Sequence, residues 1–187
     1  MSWHTSGIIL RGDWHRSPAK LFGELGFAEP KWARSASFEE VTGVTLEGRA
    51  VGYVKGWTIV WDAHMFFNLA EPEAPSPDCL WSAPVDWGLT RLSQDSFVFS
   101  FILEGSSGTY GYSVYQGGHR IRTFLAQEDT VRIDSGDALQ EETAVFARET
   151  DGEARIFLLM ERLAVSARDL EPMHFDVYCF PDSMQSN

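Results

Sequence analysis

The chain has 187 residues, 44% of them hydrophobic and 22% charged, a size and balance that suit a single globular domain and exclude a disordered chain. A domain of this length buries roughly 70% of the surface its unfolded chain exposes, so it needs neither disulfide nor metal to fold. Twenty-seven acidic residues against 15 basic ones give a net charge of −12. A field of that sign favours solubility and cationic partners, and disfavours nucleic acid and anionic membrane surfaces.

The two cysteines, Cys79 and Cys179, make no Cys-x-x-Cys motif and read as free thiols of a reducing cytosol. The first ten residues lack the basic start and long apolar run of a signal peptide, and no window approaches the ~20 apolar residues of a membrane span. The expected location is cytoplasmic.

In chain order, residues 3–10 read as a strand ended by Arg11-Gly12-Asp13. Ser17-Pro18 starts a helix with Leu21, Phe22 and Leu25 on one face, and Gly26 supplies its left-handed stop. Ser37-Phe38-Glu39-Glu40 fits a capping box for one short turn that stops at Gly43. Residues 50–54 and 57–62 flank Lys55-Gly56 as a hairpin, with Trp57, Ile59 and Trp61 sharing a face. Residues 68–80 hold Pro72, Pro75 and Pro77 beside Glu71, Glu73 and Asp78, and read as a proline-rich acidic surface loop.

Ser82-Ala83-Pro84 opens a helix carrying Val85, Leu89 and Leu92. Three runs follow, 97–104, 109–115 and 120–125, separated by glycine-bearing turns. Turns this short demand antiparallel pairing, so the runs form a meander, with Phe97, Phe99, Phe101 and Leu103 on one face. Residues 134–142 read as an acidic turn. Residues 154–167 read as a buried helix, against a rival hairpin about Asp151-Gly152, because good helix formers continue through Ala164. Residues 174–180 have strand composition and are expected to close a sheet edge, and 181–187 read as a frayed tail. The fold class is α+β: a predominantly antiparallel sheet, built from the Trp hairpin and the Phe-rich three-stranded meander, packed by about three helices within one domain, 1–187.

Chemistry is sparse. Asp13-Trp14-His15 and Asp62-Ala63-His64 repeat an Asp-x-His spacing that points both side chains to one side of an extended chain. If the two pairs met, Asp13, His15, Asp62 and His64 would form a two-histidine, two-carboxylate metal site. The Gly-x-Ser-x-Gly elbow, the phosphate-binding glycine loop, His-Glu-x-x-His and the EF-hand pattern are all missing. Arg120 and Arg122 are expected on one strand face, and Arg148, Arg155 and Arg162 recur every seven residues, as internal partners for carboxylates.

Small size, strong negative charge, abundant aromatics and missing catalytic motifs favour a non-catalytic protein-binding domain that uses no cofactor, such as an immunity-type inhibitor of a basic toxin. Its candidate contacts are Glu71, Glu73 and Asp78, with Trp81 and Trp87 as aromatic anchors, and Asp134, Asp137, Glu141 and Glu142. The alternatives are a small-molecule binder or enzyme with a pocket between sheet and helix, and the Asp-x-His metal enzyme. Nothing in the sequence speaks to oligomeric state.

Overall fold

A computed structural model of the chain describes residues 3–43, 46–63, 77–128 and 130–181. Among them nine strands form one antiparallel sheet in the order β2-β9-β3-β4-β1-β5-β6-β7-β8, so the fold is mixed but mostly sheet. The strands are β1 (His4–Arg11), β2 (Lys31–Ser37), β3 (Arg49–Val54), β4 (Trp57–Asp62), β5 (Phe97–Glu104), β6 (Thr109–Gln116), β7 (His119–Gln127), β8 (Thr130–Ser135) and β9 (His174–Cys179). Six helices accompany them among the described residues: α1 (Pro18–Glu24), α2 (Phe38–Val41), α3 (Ala83–Leu92), α4 (Gln140–Phe146), α5 (Gly152–Leu163) and α6 (Ala167–Leu170).

The central strands are apolar on both sides because the sheet is covered on both faces. On the first face Ile9, Ile59, Trp61, Phe99, Phe101, Tyr112 and Phe124 meet Val41 of α2, Val145 of α4, Ile156, Leu159 and Met160 of α5, and Leu170 of α6. On the second, Ile8, Leu10, Val60, Val98, Ile102 and Tyr115 meet Leu21 and Phe22 of α1, and Val85 and Leu89 of α3. Alternation along β4 and β5 sorts the residues as the two-residue strand period requires. Lys55 and Gly56 both take positive φ, 51° and 86°, the backbone of a two-residue hairpin turn that follows the twist of its strands.

The expected hairpin and meander are present, as are the helices opened by Pro18 and by Ala83-Pro84. Ser37 closes its capping box with Glu40. The run after Asp151 is helix, not hairpin: Asp151 Oδ1 accepts the Ala154 amide at 2.8 Å and starts α5 two residues early.

Several expectations need correction. β9 lies inside the sheet, between β2 and β3, because β2, a mostly exposed strand, takes the edge. The turn expected over 134–142 is confined to 136–139, since 134–135 end β8 and 140–142 open α4. Arg148 precedes α5, so the seven-residue arginine series does not line one helix. The loop expected over 68–80 lies outside the described residues up to position 76, and so does the tail from position 182.

Candidate functional site

Arg120 and Arg122 do not share a face. β6 and β7 pair Tyr115 with Arg120 and Val114 with Arg122, leaving Ile121 as the extra residue of a bulge. A bulge inserts one unpaired residue and reverses the alternation beyond it. Arg120 therefore joins the second face, where its Nη1 and the Tyr115 hydroxyl donate to Asp86 Oδ1 at 2.9 and 2.7 Å. Asp86 sits in the first turn of α3, where the helix dipole favours a carboxylate.

Arg122 enters the first face and is 2% exposed. Its Nε and Nη2 bridge both oxygens of Glu142 at 2.9 and 2.6 Å. Its Nη1 reaches Asp134 at 2.6 Å and the Ser135 and Gly136 carbonyls at 3.2 and 3.0 Å. Burial opposes the Arg122 charge, yet the hydrogen bonds to Glu142 and Asp134 outweigh it and hold the guanidinium firmly protonated. The Tyr112 phenol is pushed up by burial and then by Glu142. Arg120 with Asp86 and Arg122 with Glu142 are thus paired within the fold, and Asp134 adds one carboxylate in excess on the first face.

Those of the expected contact residues that are described fall into three groups. Trp81 is fully buried, its indole donating to Ser100 Oγ at 2.9 Å, and Glu142 is buried against Arg122; neither reaches a partner. Trp87 is 58% exposed on α3 and Asp78 is exposed just before the Cys79–Trp81 stretch, both on the second face. Asp134, Asp137 and Glu141 lie exposed or half-exposed around β8 and α4. Glu71 and Glu73 lie outside the described residues.

The Asp-x-His pairs are separated by the register that joins their strands. Asp62 faces Ser6, whereas Asp13 follows Arg11, which faces Trp57, and Trp14 bonds back to Thr58. At 3.3 Å per residue, the four or more extended positions between them amount to roughly 13 Å. Asp13 pairs with His15 at 2.5 Å and Asp62 with Arg49 at 2.5 Å, and His64 lies outside the described residues. The proposed convergence of Asp13 with Asp62 does not occur. Among the described residues no group of three or more His, Cys, Asp or Glu side chains gathers as a metal centre.

What the sequence did not single out is a groove of about 870 Å³ on the first face. Its floor is Tyr110, Phe124 and Val131 from β6, β7 and β8, and its wall is Phe146, Arg155 and residues 150–153. Glu128, Asp151 and Glu153 stand along it. Gly152 lets α5 close on the floor: a Cβ there would lie 2.1 Å from the Tyr110 ring. Arg155 is held by the Tyr110 hydroxyl at 2.9 Å and the Glu149 carbonyl at 2.7 Å, with its guanidinium 4.5 Å above Phe146.

Carboxylates already occupy the approach to the start of α5. Glu149 Oε1 accepts the Thr150 and Asp151 amides at 2.8 and 2.9 Å, and Asp151 accepts that of Ala154. With Glu149 and Asp151 in the anion positions and two more carboxylates, Glu128 and Glu153, along the walls against one arginine, the groove suits a cation. Residues 128–155 carry nine acidic and three basic side chains by sequence, a net of −6 and half of the chain's −12.

Comparison with protein-family models, with curated proteins and with solved structures finds no match to this chain. Among the described residues no helix is long and apolar enough to cross a membrane.

Proposed function

We propose that the chain is a non-catalytic, cytoplasmic binding domain that recognises a cationic protein partner, in the manner of an immunity protein that neutralises a basic toxin. The observation that carries this reading is the groove, where an aromatic floor lies under a carboxylate rim. The excess of carboxylates raises the association rate with a basic surface, and the exposed Val131 adds apolar contact area beside the buried floor. Arg120 and Arg122 are each held by carboxylates inside the fold, which favours a structural role for these charges. A cytoplasmic setting accords with Cys79 held as a buried thiol, its Sγ donating to the Trp81 carbonyl at 3.2 Å, while Cys179 lies exposed on β9.

The test is position-specific. A photo-crosslinking residue replaces Val131 beside the groove or, as a control, Trp87 on the opposite face, in cells of the native host. The reading expects a basic protein bonded from position 131 only, and lost when Glu128 and Glu153 become glutamine. Equal adducts at both positions, or none at 131, would overturn it. The groove's volume also falls within the range of small-molecule sites, which favours a cationic small ligand as the second reading. A thermal shift with small amines and none with basic peptides would select it.

A further inference from the structure

We infer that the outer edge of β8 is a strand-addition site that takes an extended, basic segment of the protein partner as a further antiparallel strand. This rests on the reading above and specifies how the partner is held.

β8 ends the sheet and pairs only with β7, and among the described residues no other backbone group bonds to it. Such an edge presents unpaired N–H and C=O groups that template another strand. Register assigns its side chains. Val131 faces Ala126 and Asp134 faces Phe124, so both stand on the first face, where Val131 also lines the groove. Val131 is 51% exposed and the Asp134 side chain 62% exposed, so this outward row is open. Ile133 faces Leu125 on the second face and packs against the apolar cluster there, which anchors the strand.

A strand laid beside β8 would thus set its first-face side chains against Val131, Asp134 and the acidic groove rim. Backbone pairing supplies affinity in this mode, and alternate side chains supply specificity. Charge chooses the occupant. Glu128, Asp134, Asp137 and Glu141 surround this edge, whereas the opposite edge, β2, carries Lys31 and Arg34. Arg132, the extra residue of a bulge between Val131 and Ile133, interrupts the ladder. Bulges guard edges against long indiscriminate pairing, so the occupant is short, and the carboxylates of the first face draw its basic residues to that side.

The probe is a short synthetic peptide alternating lysine with threonine or valine, titrated into the isotope-labelled full chain and followed by backbone amide shifts. Two further forms carry N-methyl groups on every odd or every even residue, and a proline-rich peptide carries the same number of lysines. The expected result is binding of the parent with shifts concentrated on residues 130–135. Methylation in one parity should weaken it at least about tenfold, the equivalent of one or two lost hydrogen bonds, and in the other by less than about twofold. Asp134→Asn, at an exposed position, should weaken binding several-fold without unfolding the chain. If both methylated forms and the proline-rich peptide bind as well as the parent, strand addition is wrong while cation recognition stands. If a glutamate-for-lysine peptide binds as well as the parent, the cation reading itself fails. Concentration-dependent shifts of β8 without peptide, lost on Lys31→Glu, would assign the edge to a second copy of the chain and overturn the inference.

Discussion

The two faces of the sheet receive arginines from the same strand, two residues apart, yet the groove on the first face, about 870 Å³, is nearly twice the hollow of about 460 Å³ that α1 and α3 leave on the second. On the second face Arg120 meets a carboxylate in the first turn of a ten-residue helix, and α3 is itself tied to α1 by Arg91 and Glu24 at 2.8 Å. Cover there is continuous over Tyr115 and its neighbours. On the first face the carboxylate for Arg122 comes from α4, which has only seven residues and ends at Phe146. The chain must then turn before α5 begins, and the floor between the two helices stays open. A short helix over a broad sheet creates the concavity that a longer one would have sealed.

The largest effect expected is loss of Arg122. Arg122→Ala leaves Glu142 buried and unpaired, so unfolding by urea should show a loss of about 3–5 kcal/mol. Arg122→Met combined with Glu142→Leu should recover much of that loss, because two apolar side chains remove the stranded charge. A double variant as unstable as the two single losses added would show that the pair acts through something other than its desolvated charges.

Alkali comes next and weighs more on the second face. Burial pushes the Cys79 thiol up to about 12 from 9.0, with Asp86 adding to it. Burial also raises the Tyr115 phenol on that face and Tyr112 on the other, from 10.0. Each group holds its proton more tightly when folded, so its contribution is complete below its unfolded pKa and is lost as pH rises toward the folded one. The urea midpoint should be level in this respect to about pH 9 and then fall. Cys79→Ala should delay the onset toward pH 10, and a profile flat to pH 11 would contradict the assignment. At neutral pH a thiol reagent should titrate Cys179 alone until denaturant is added.

Gly152→Ala should cost about 1–3 kcal/mol, the range of an overpacked core, because its Cβ would run into the Tyr110 ring. The same substitution moves α5 off the floor and should disturb any ligand of the groove. A thermal melt that matches the unsubstituted chain would mean the helix and floor are less closely fitted than they stand.

The parts legible in the sequence were those where one local signal decides the outcome. Alternation of Phe97, Phe99, Phe101 and Leu103 located β5, and Pro18 and Ser37 marked helix starts that tertiary packing did not override. β2 and β8 escaped because edge strands are half solvated: the segments Lys31–Ser37 and Thr130–Ser135 bury little and alternate weakly. Missing β2 also misplaced β9, since a strand's neighbours are not written in its own residues. The opposite fates of Arg120 and Arg122 depend on one bulge at Ile121, set by how two strands meet and carried by no local pattern. The groove draws on β6, β7, β8, α4 and α5 at once. Tyr110 and Arg155 were visible as strand and helix residues, but their meeting across 45 positions belongs to the fold.

The smallest expected effect separates stability from recognition most cleanly. Asp134 and Glu142 both hold Arg122, but the Glu142 side chain is buried whereas that of Asp134 is 62% exposed. An exposed charge is screened by water, and its pair is worth at most about 1 kcal/mol. Asp134→Ala should therefore shift the urea midpoint barely at all, since Glu142 still neutralises the buried guanidinium. Partner binding should respond far more, because the same substitution removes a carboxylate from the open row of β8. A loss of stability as large as that from Arg122→Ala would make Asp134 part of the buried network and leave the first face without an acidic side chain to spare on that strand.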